Sequence, residues 1–129
     1  GEASPYKKLS RYSDLYASEL IHIETIRTLD RIRLIEQWDQ TEIVSRIRIF
    51  NEMLDTIHLV HLHPLILKRA ADPFILPVKT LDALHIATAL ACESEIKTSL
   101  LFLTHDTQQA RAAITCGLKV PEDLILTKS

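Results

Sequence analysis

Glycine is almost absent from this chain, with 2 in 129 residues. So few residues free to adopt positive φ argue against a β-rich fold strung on tight turns. They also argue against a Gly-rich loop that cradles phosphate, and so against a small-molecule α/β binding protein built on one. Proline is modest at 5 residues, and no repeat or low-complexity tract marks a disordered segment. The two cysteines, Cys92 and Cys116, fall inside helical patterns and read as reduced, buried thiols of a cytoplasmic protein. No apolar run approaches the roughly 18 residues that cross a bilayer, so no membrane span is expected. The opening Gly1-Glu-Ala-Ser-Pro5 reads as a loop or a trimmed end, not as a signal peptide. A formal net charge of −2 supplies no global basic field.

What is present is an ordinary globular balance, 47% apolar and 25% charged, in a length that suits one domain with a real core. Leu and Ile dominate the apolar set, which favours helices with a few short buried strands. Tyr6 to Tyr12 reads as the last turn of a helix, and Leu15-Tyr-Ala17 as a short strand. Ser18 is a suitable N-cap. Leu20, Ile23, Ile26 and Ile32 then recur at helical spacing to about Leu34. Asp39 with Glu42 resembles a capping box. It opens a second helix with Ile43, Ile47, Phe50, Met53 and Leu54 on one face.

Ile57 to Leu62 reads as a buried strand, and His63-Pro64 as the start of a helix ending near Asp72-Pro73. That helix carries Leu65, Leu67, Ala70 and Ala71. Phe74 to Val78 is a loop. Thr80 caps the next helix, Leu100 to Leu103 is a strand, and Asp106 or Thr107 caps a helix that Gly117 ends. Leu118 to Val120 and Leu124 to Leu126 are further strands. Helices alternating with short strands, joined by connections too long for hairpins, indicate a mostly parallel sheet covered on both faces.

Two acids stand out against this pattern. Asp82 lies in the first turn of a segment that is apolar on nearly every side, where an ionised carboxylate is costly unless paired or bound. Asp106 follows the apolar run Leu100-Leu-Phe-Leu103 and opens a helix. Ligands of parallel sheets bind beyond the carboxyl ends of the strands. Helix N-termini favour carboxylate charge, so both acids should be ionised and face one edge. Like charges that close raise each other's proton affinity unless a divalent cation relieves them, and oxygen donors suit Mg²⁺ or Mn²⁺. A third acid, Glu24, has Leu20 and Ile21 as apolar neighbours one turn back. Glu19, nearer the helix start, competes with it.

The stretches Ser18-Glu-Leu-Ile-His-Ile-Glu24-Thr-Ile-Arg27, Leu81-Asp82-Ala-Leu-His-Ile-Ala-Thr-Ala89 and Leu103-Thr104-His-Asp106, with Ala110 and Gly117 behind them, resemble successive motifs of the PIN domain, and among these the VapC-like toxins. The resemblance runs from Tyr12 to Val120. It implies a three-layer α/β/α fold with a short, mostly parallel sheet. It implies a metal-dependent endoribonuclease of a toxin–antitoxin system that hydrolyses RNA phosphodiesters with Mg²⁺ or Mn²⁺. Glu24, Asp82 and Asp106 match the metal-binding, catalytic acids, and Thr104 the supporting hydroxyl residue. It also implies an antitoxin that lays a helix and a basic residue across the acidic pocket. Finally it implies a homodimer, for which Ile23, Ile26, Ile43 and Ile47 could form the interface.

One departure bears on activity. The family opens with a short apolar strand ending in Asp, and nothing of that kind precedes Tyr6. By this comparison residues 1–129 form a single PIN-like domain that is incomplete at its N-terminus, without the first central strand. Three of four acids remain, metal binding and cleavage are impaired, and the sheet keeps an unpaired gap. The other reading is a catalytically inactive PIN-like module that binds RNA or protein.

Each residue also has a plainer role. Asp82 can serve as an ordinary helix N-terminal acid, Asp106 as an N-cap, and Glu24 as a surface acid paired with Arg27 or Arg31. His85 reads as a supporting or core histidine. His58, His61 and His63 have a spacing that can bind zinc, but strand alternation puts His58 and His61 on opposite faces. Arg27 and Arg31, with Arg33, Lys68, Arg69 and Lys79, can hold an RNA backbone or simply form solvated helix faces.

Overall fold

The structure is a computed structural model that describes residues 14–104 and 106–121. The expected helical turn at Tyr6–Tyr12, the loop at Gly1–Pro5, the strand at Leu124–Leu126 and His105 of the Leu-Thr-His-Asp motif lie outside the described residues. The chain divides into two compact units, residues 1–60 and 61–129. The class is mixed α/β, with five helices and a short parallel sheet among the described residues.

In the first unit, strand β1 (Leu15–Ser18) is followed by helices α1 (Leu20–Glu36) and α2 (Gln40–Leu54) and strand β2 (Ile57–Val60). The strands pair in parallel, Leu15 opposite Ile57 through Ser18 opposite Val60, as the helical crossover between them requires. Glu19 N–H continues the ladder to Val60 O at 2.9 Å. β2 is shorter and less covered than its β-branched sequence suggests, with His58 and Leu59 exposed.

Ser18 is buried and its hydroxyl accepts from Leu20 N–H at 3.1 Å, but Glu19 holds the cap position. The residues that recur along α1 do not share one burial: Ile23 is 61% exposed, while Leu20, Ile26 and Ile32 are half-buried. The cause is the period. A three-residue repeat slips back by roughly 60° per step on a helix of 3.6 residues per turn, so it does not hold one face. α1 ends at Gln37 in the left-handed region, whose N–H reaches Arg33 O. In α2 the expected face is as read, with Ile43, Ile47, Phe50, Met53 and Leu54 half-buried, and His22 of α1 stacks on Phe50 at 5.9 Å.

Asp39 caps α2, its Oδ1 accepting from Glu42 N–H at 2.8 Å. The Glu42 carboxylate turns to Arg46 at 3.0 Å, and Arg46 in turn lies over the Trp38 ring at 4.7 Å. Asp39→Ala is expected to lower stability by about 1 kcal/mol, read as a lower denaturation midpoint at unchanged slope, whereas Asp39→Asn keeps the cap.

The second unit holds helices α3 (Pro64–Ala71), α4 (Thr80–Ile96) and α5 (Thr107–Thr115). Pro64 takes the first position of α3, with His63 as N-cap and Asp72 as C-cap. The residue that α3 buries is Ile66, while Leu65 and Leu67 are exposed. The cap of α4 falls one residue earlier than expected: Lys79 is the N-cap and Thr80 the first helical residue. α4 buries Ala83, Ile86, Ala87, Thr88 and Cys92, and leaves Leu81 and Ile96 exposed. The buried Thr88 hydroxyl donates to Leu84 O at 2.7 Å, so no polar group is stranded there. Ile86 joins Ala112, Ala113 and Leu118 in the core, with Phe74, Val78, Leu90 and Phe102 packed around them.

Gly117 terminates α5 as expected, at φ +94°. Its N–H reaches Ile114 O at 2.9 Å and Leu118 N–H reaches Ala113 O at 3.1 Å, the two bonds of a Schellman motif. That motif helps explain a second correction. The strands expected at Leu100–Leu103 and Leu118–Val120 shrink to one parallel bridge, Leu101 with Lys119, carried by Phe102 N–H to Lys119 O at 2.7 Å. The flanking donors are diverted: Leu118 N–H goes to the helix end, and Leu100 N–H to Glu93 Oε2 at 2.7 Å.

Cys92 and Cys116 are both free thiols. Burial pushes the Cys92 thiol up, and the charge of Glu95 pushes the same way. The folded-state value then stands above the unfolded one. The resulting contribution to stability is complete at neutral pH and is lost as pH rises through the folded-state value. Cys92 is 8% exposed and Cys116 is half-buried, so a thiol reagent at neutral pH should label Cys116 first and Cys92 only on denaturation. Equal native labelling rates would contradict this.

Candidate functional site

The best-defined polar cluster lies at the N-terminus of α5. Asp106 is its N-cap, with Oδ1 accepting from Gln108 N–H at 2.9 Å and from Gln109 N–H at 3.2 Å. These are orphan donors of the first turn, and the helix dipole favours the carboxylate's charge there. The acid is held from its other side too. Asp106 N–H donates to Thr104 Oγ1 at 3.0 Å, and that hydroxyl donates to Gln109 Oε1 at 2.7 Å. Thr104 is thus hydrogen-bonded to the Asp106 main chain. Asp106 itself is exposed, and Thr104 and Gln109 are half-buried.

Gln109 is not among the residues expected from sequence, and its spacing from Asp106 is only part of the signal. Asp106-x-x-Gln109 has the capping-box spacing used above for Asp39 and Glu42. The Gln side chain turns to the threonine hydroxyl.

Asp82 occupies the first turn of α4, half-buried, where the same dipole acts on it. Ala83 N–H closes the turn on Lys79 O at 2.8 Å. His85 is half-buried, one turn beyond the helix start. Arg69, counted above among candidate RNA contacts, is committed elsewhere. Its guanidinium lies 4.6 Å from the Phe74 ring centroid, and Nη2 approaches Cys116 Sγ at 3.7 Å.

In the first unit, Glu24 is half-buried on α1, and its carbonyl accepts from the Thr28 hydroxyl at 2.9 Å. Arg27 pairs with Asp30 at 3.3 Å while its side chain stays 72% exposed. Arg33 shares Asp30 at 2.8 Å. The Arg33 hydrogen bond, with Arg27 adding to it, holds the Asp30 carboxyl below the usual carboxylate range. Arg31 is exposed. His58 stacks on Tyr16 at 4.9 Å and approaches Asp14 at 3.6 Å.

Carboxylate oxygens are the hard donors that Mg²⁺ and Mn²⁺ take. In kind, the three predicted acids fit such an ion. Among the described residues, however, no three His, Cys, Asp or Glu side chains stand together as a ligand set. A preassembled three-ligand cage is therefore not present in them. Mg²⁺ is often held by one or two carboxylates, with waters and substrate phosphate completing the shell.

The family model of the PIN domain matches residues 2–114, a stretch that runs through both units. No curated protein matches the chain, and no solved structure does.

Proposed function

The chain belongs to the PIN domain family, and we propose that it is a metal-dependent endoribonuclease whose reactive acids are Glu24, Asp82 and Asp106. PIN domains are generally nucleases, and mostly use Mg²⁺ or Mn²⁺. The observation that carries the reading here is Asp106. It is exposed at a helix N-terminus and anchored through Oδ1 and its own N–H, in a Leu-Thr-His-Asp stretch that resembles the family's last acidic motif. A bound ion would activate water and neutralise charge on the phosphate under attack. Of the chain's own residues, Asp82 and Asp106 supply charge from two helix N-termini, and Thr104 holds Asp106. Arg27 and Arg31 are exposed cations of the kind that grip an RNA backbone.

The finer reading is a cytoplasmic VapC-like toxin that a cognate antitoxin neutralises. The Leu-Asp-Ala-Leu-His-Ile-Ala-Thr-Ala and Leu-Thr-His-Asp segments support it. Of the four residues expected at a homodimer interface, Ile23 is exposed while Ile26, Ile43 and Ile47 are half-buried; exposed Ile35 and Val44 on the same two helices support an apolar contact there instead. No helix among the described residues is long and apolar enough to cross a membrane.

The deciding experiment titrates Mg²⁺ and Mn²⁺ into the chain with a labelled RNA, beside its Asp82→Asn form. Metal-dependent cleavage lost in the variant supports the nuclease. Equal residual cleavage in both removes the site. RNA binding without metal-dependent cleavage would favour the catalytically inactive module, a reading that gains from the lack of a three-donor group among the described residues.

A further inference from the structure

Resting on the assignment of Asp106 to the reactive centre, we propose that Gln109 is a positioning residue for that acid. The hydrogen bonds form a closed ring. Asp106 Oδ1 accepts from Gln109 N–H at 3.2 Å, and Asp106 N–H donates to Thr104 Oγ1 at 3.0 Å. Thr104 Oγ1 then donates to Gln109 Oε1 at 2.7 Å. Residue 109 is thus engaged twice, its main chain by the acid and its side chain by the hydroxyl that holds the acid.

A hydroxyl carries a single proton. Because Gln109 Oε1 takes that proton, the lone pairs of Thr104 face the Asp106 N–H. Remove the amide oxygen and the hydroxyl is free to rotate, and the Asp106 N–H loses a fixed acceptor. Oδ1 is already engaged by the helix donors, so Oδ2 is the oxygen with which Asp106 meets a cation or a water. Its placement depends on the carboxylate plane, which the ring sets from both sides. Thr104 alone would fix the N–H but not its own rotamer. Gln109 acts through Thr104 and touches no reacting atom.

Gln109→Leu roughly preserves size and keeps the backbone N–H that the cap uses, and deletes the side-chain amide with the oxygen that accepts from Thr104. On the full-length chain with Mn²⁺ and RNA, kcat should fall about tenfold at unchanged KM. Thr104→Val should lose at least as much, and Thr104→Ser should restore activity. Thr104→Val/Gln109→Leu should be no worse than Thr104→Val, because both changes break the same ring. A Gln109→Leu protein with wild-type kcat, or losses that multiply in the double variant, would overturn the proposal. The parent assignment fails separately, on Asp106→Asn cleaving as well as the wild type. Should the wild type itself not cleave, amide exchange read by NMR decides: Asp106 N–H must exchange faster in Gln109→Leu, and an unchanged rate refutes the ring.

Discussion

Asp106→Asn should abolish most metal-dependent RNA cleavage while leaving the fold almost untouched. The two effects separate because asparagine and aspartate are nearly equal N-caps. The Asn side-chain oxygen can still accept from Gln108 and Gln109 N–H, as Asp106 Oδ1 does at 2.9 and 3.2 Å. What disappears is the negative charge. On the stability side its loss removes only the dipole interaction, up to about 1 kcal/mol at an exposed helix end. On the catalytic side a metal would lose a charged ligand, and such groups are worth about a hundredfold or more in rate.

Measured together, the melting temperature should stay near wild type while kcat/KM falls by two orders of magnitude or thereabouts. Asp82→Asn, in the first turn of α4, should reproduce the catalytic loss. Glu24→Gln tests whether the motif acid of the first unit belongs to the same chemistry. Full activity in Asp106→Asn would reduce that residue to a helix cap. A collapse of stability along with activity would show that the charge holds the fold rather than the reaction.

The features legible in the sequence were those whose causes are local. Asp39, Asp106, Pro64 and Gly117 each announce a helix boundary because capping is settled within a few residues, and the structure places each boundary there. The parallel pairing of β1 with β2 followed from the helices between them. What sequence could not show depended on distant partners. Leu100 and Leu118 have strand-like neighbours, yet their N–H groups go to the Glu93 carboxylate and to the end of α5. Arg69 looks like any exposed cation until Phe74 and Cys116 are placed against it. At the site, Thr104 and Asp106 were readable as neighbours in one motif. The link from Thr104 through Gln109 was not, because it needs a side-chain direction as well as a spacing.

The same contrast yields the largest expected effect on stability, within a single helix. α4 reads as apolar nearly all round, so sequence alone treats Leu81 and Ile86 alike. Ile86 is 0% exposed and Leu81 is 44% exposed. Among the described residues, Ile86 is also one of few large side chains, with Ile66 and Leu118, in a buried apolar set made mostly of alanine. Its buried neighbours include Ala112 and Ala113, whose methyl groups cannot swing in to fill a void. Ile86→Ala therefore removes three carbons and leaves a cavity that Ala112 and Ala113 cannot fill, and should cost about 2–5 kcal/mol. Against a typical total of ~5–15 kcal/mol this is a large fraction. Leu81→Ala should change stability by less than about 0.5 kcal/mol, as exposed positions do. Chemical denaturation of the two variants beside wild type reads the difference directly. Equal costs at the two positions would mean that α4 does not bury the face described, and the packing that sets Asp82 in its first turn would fall with it.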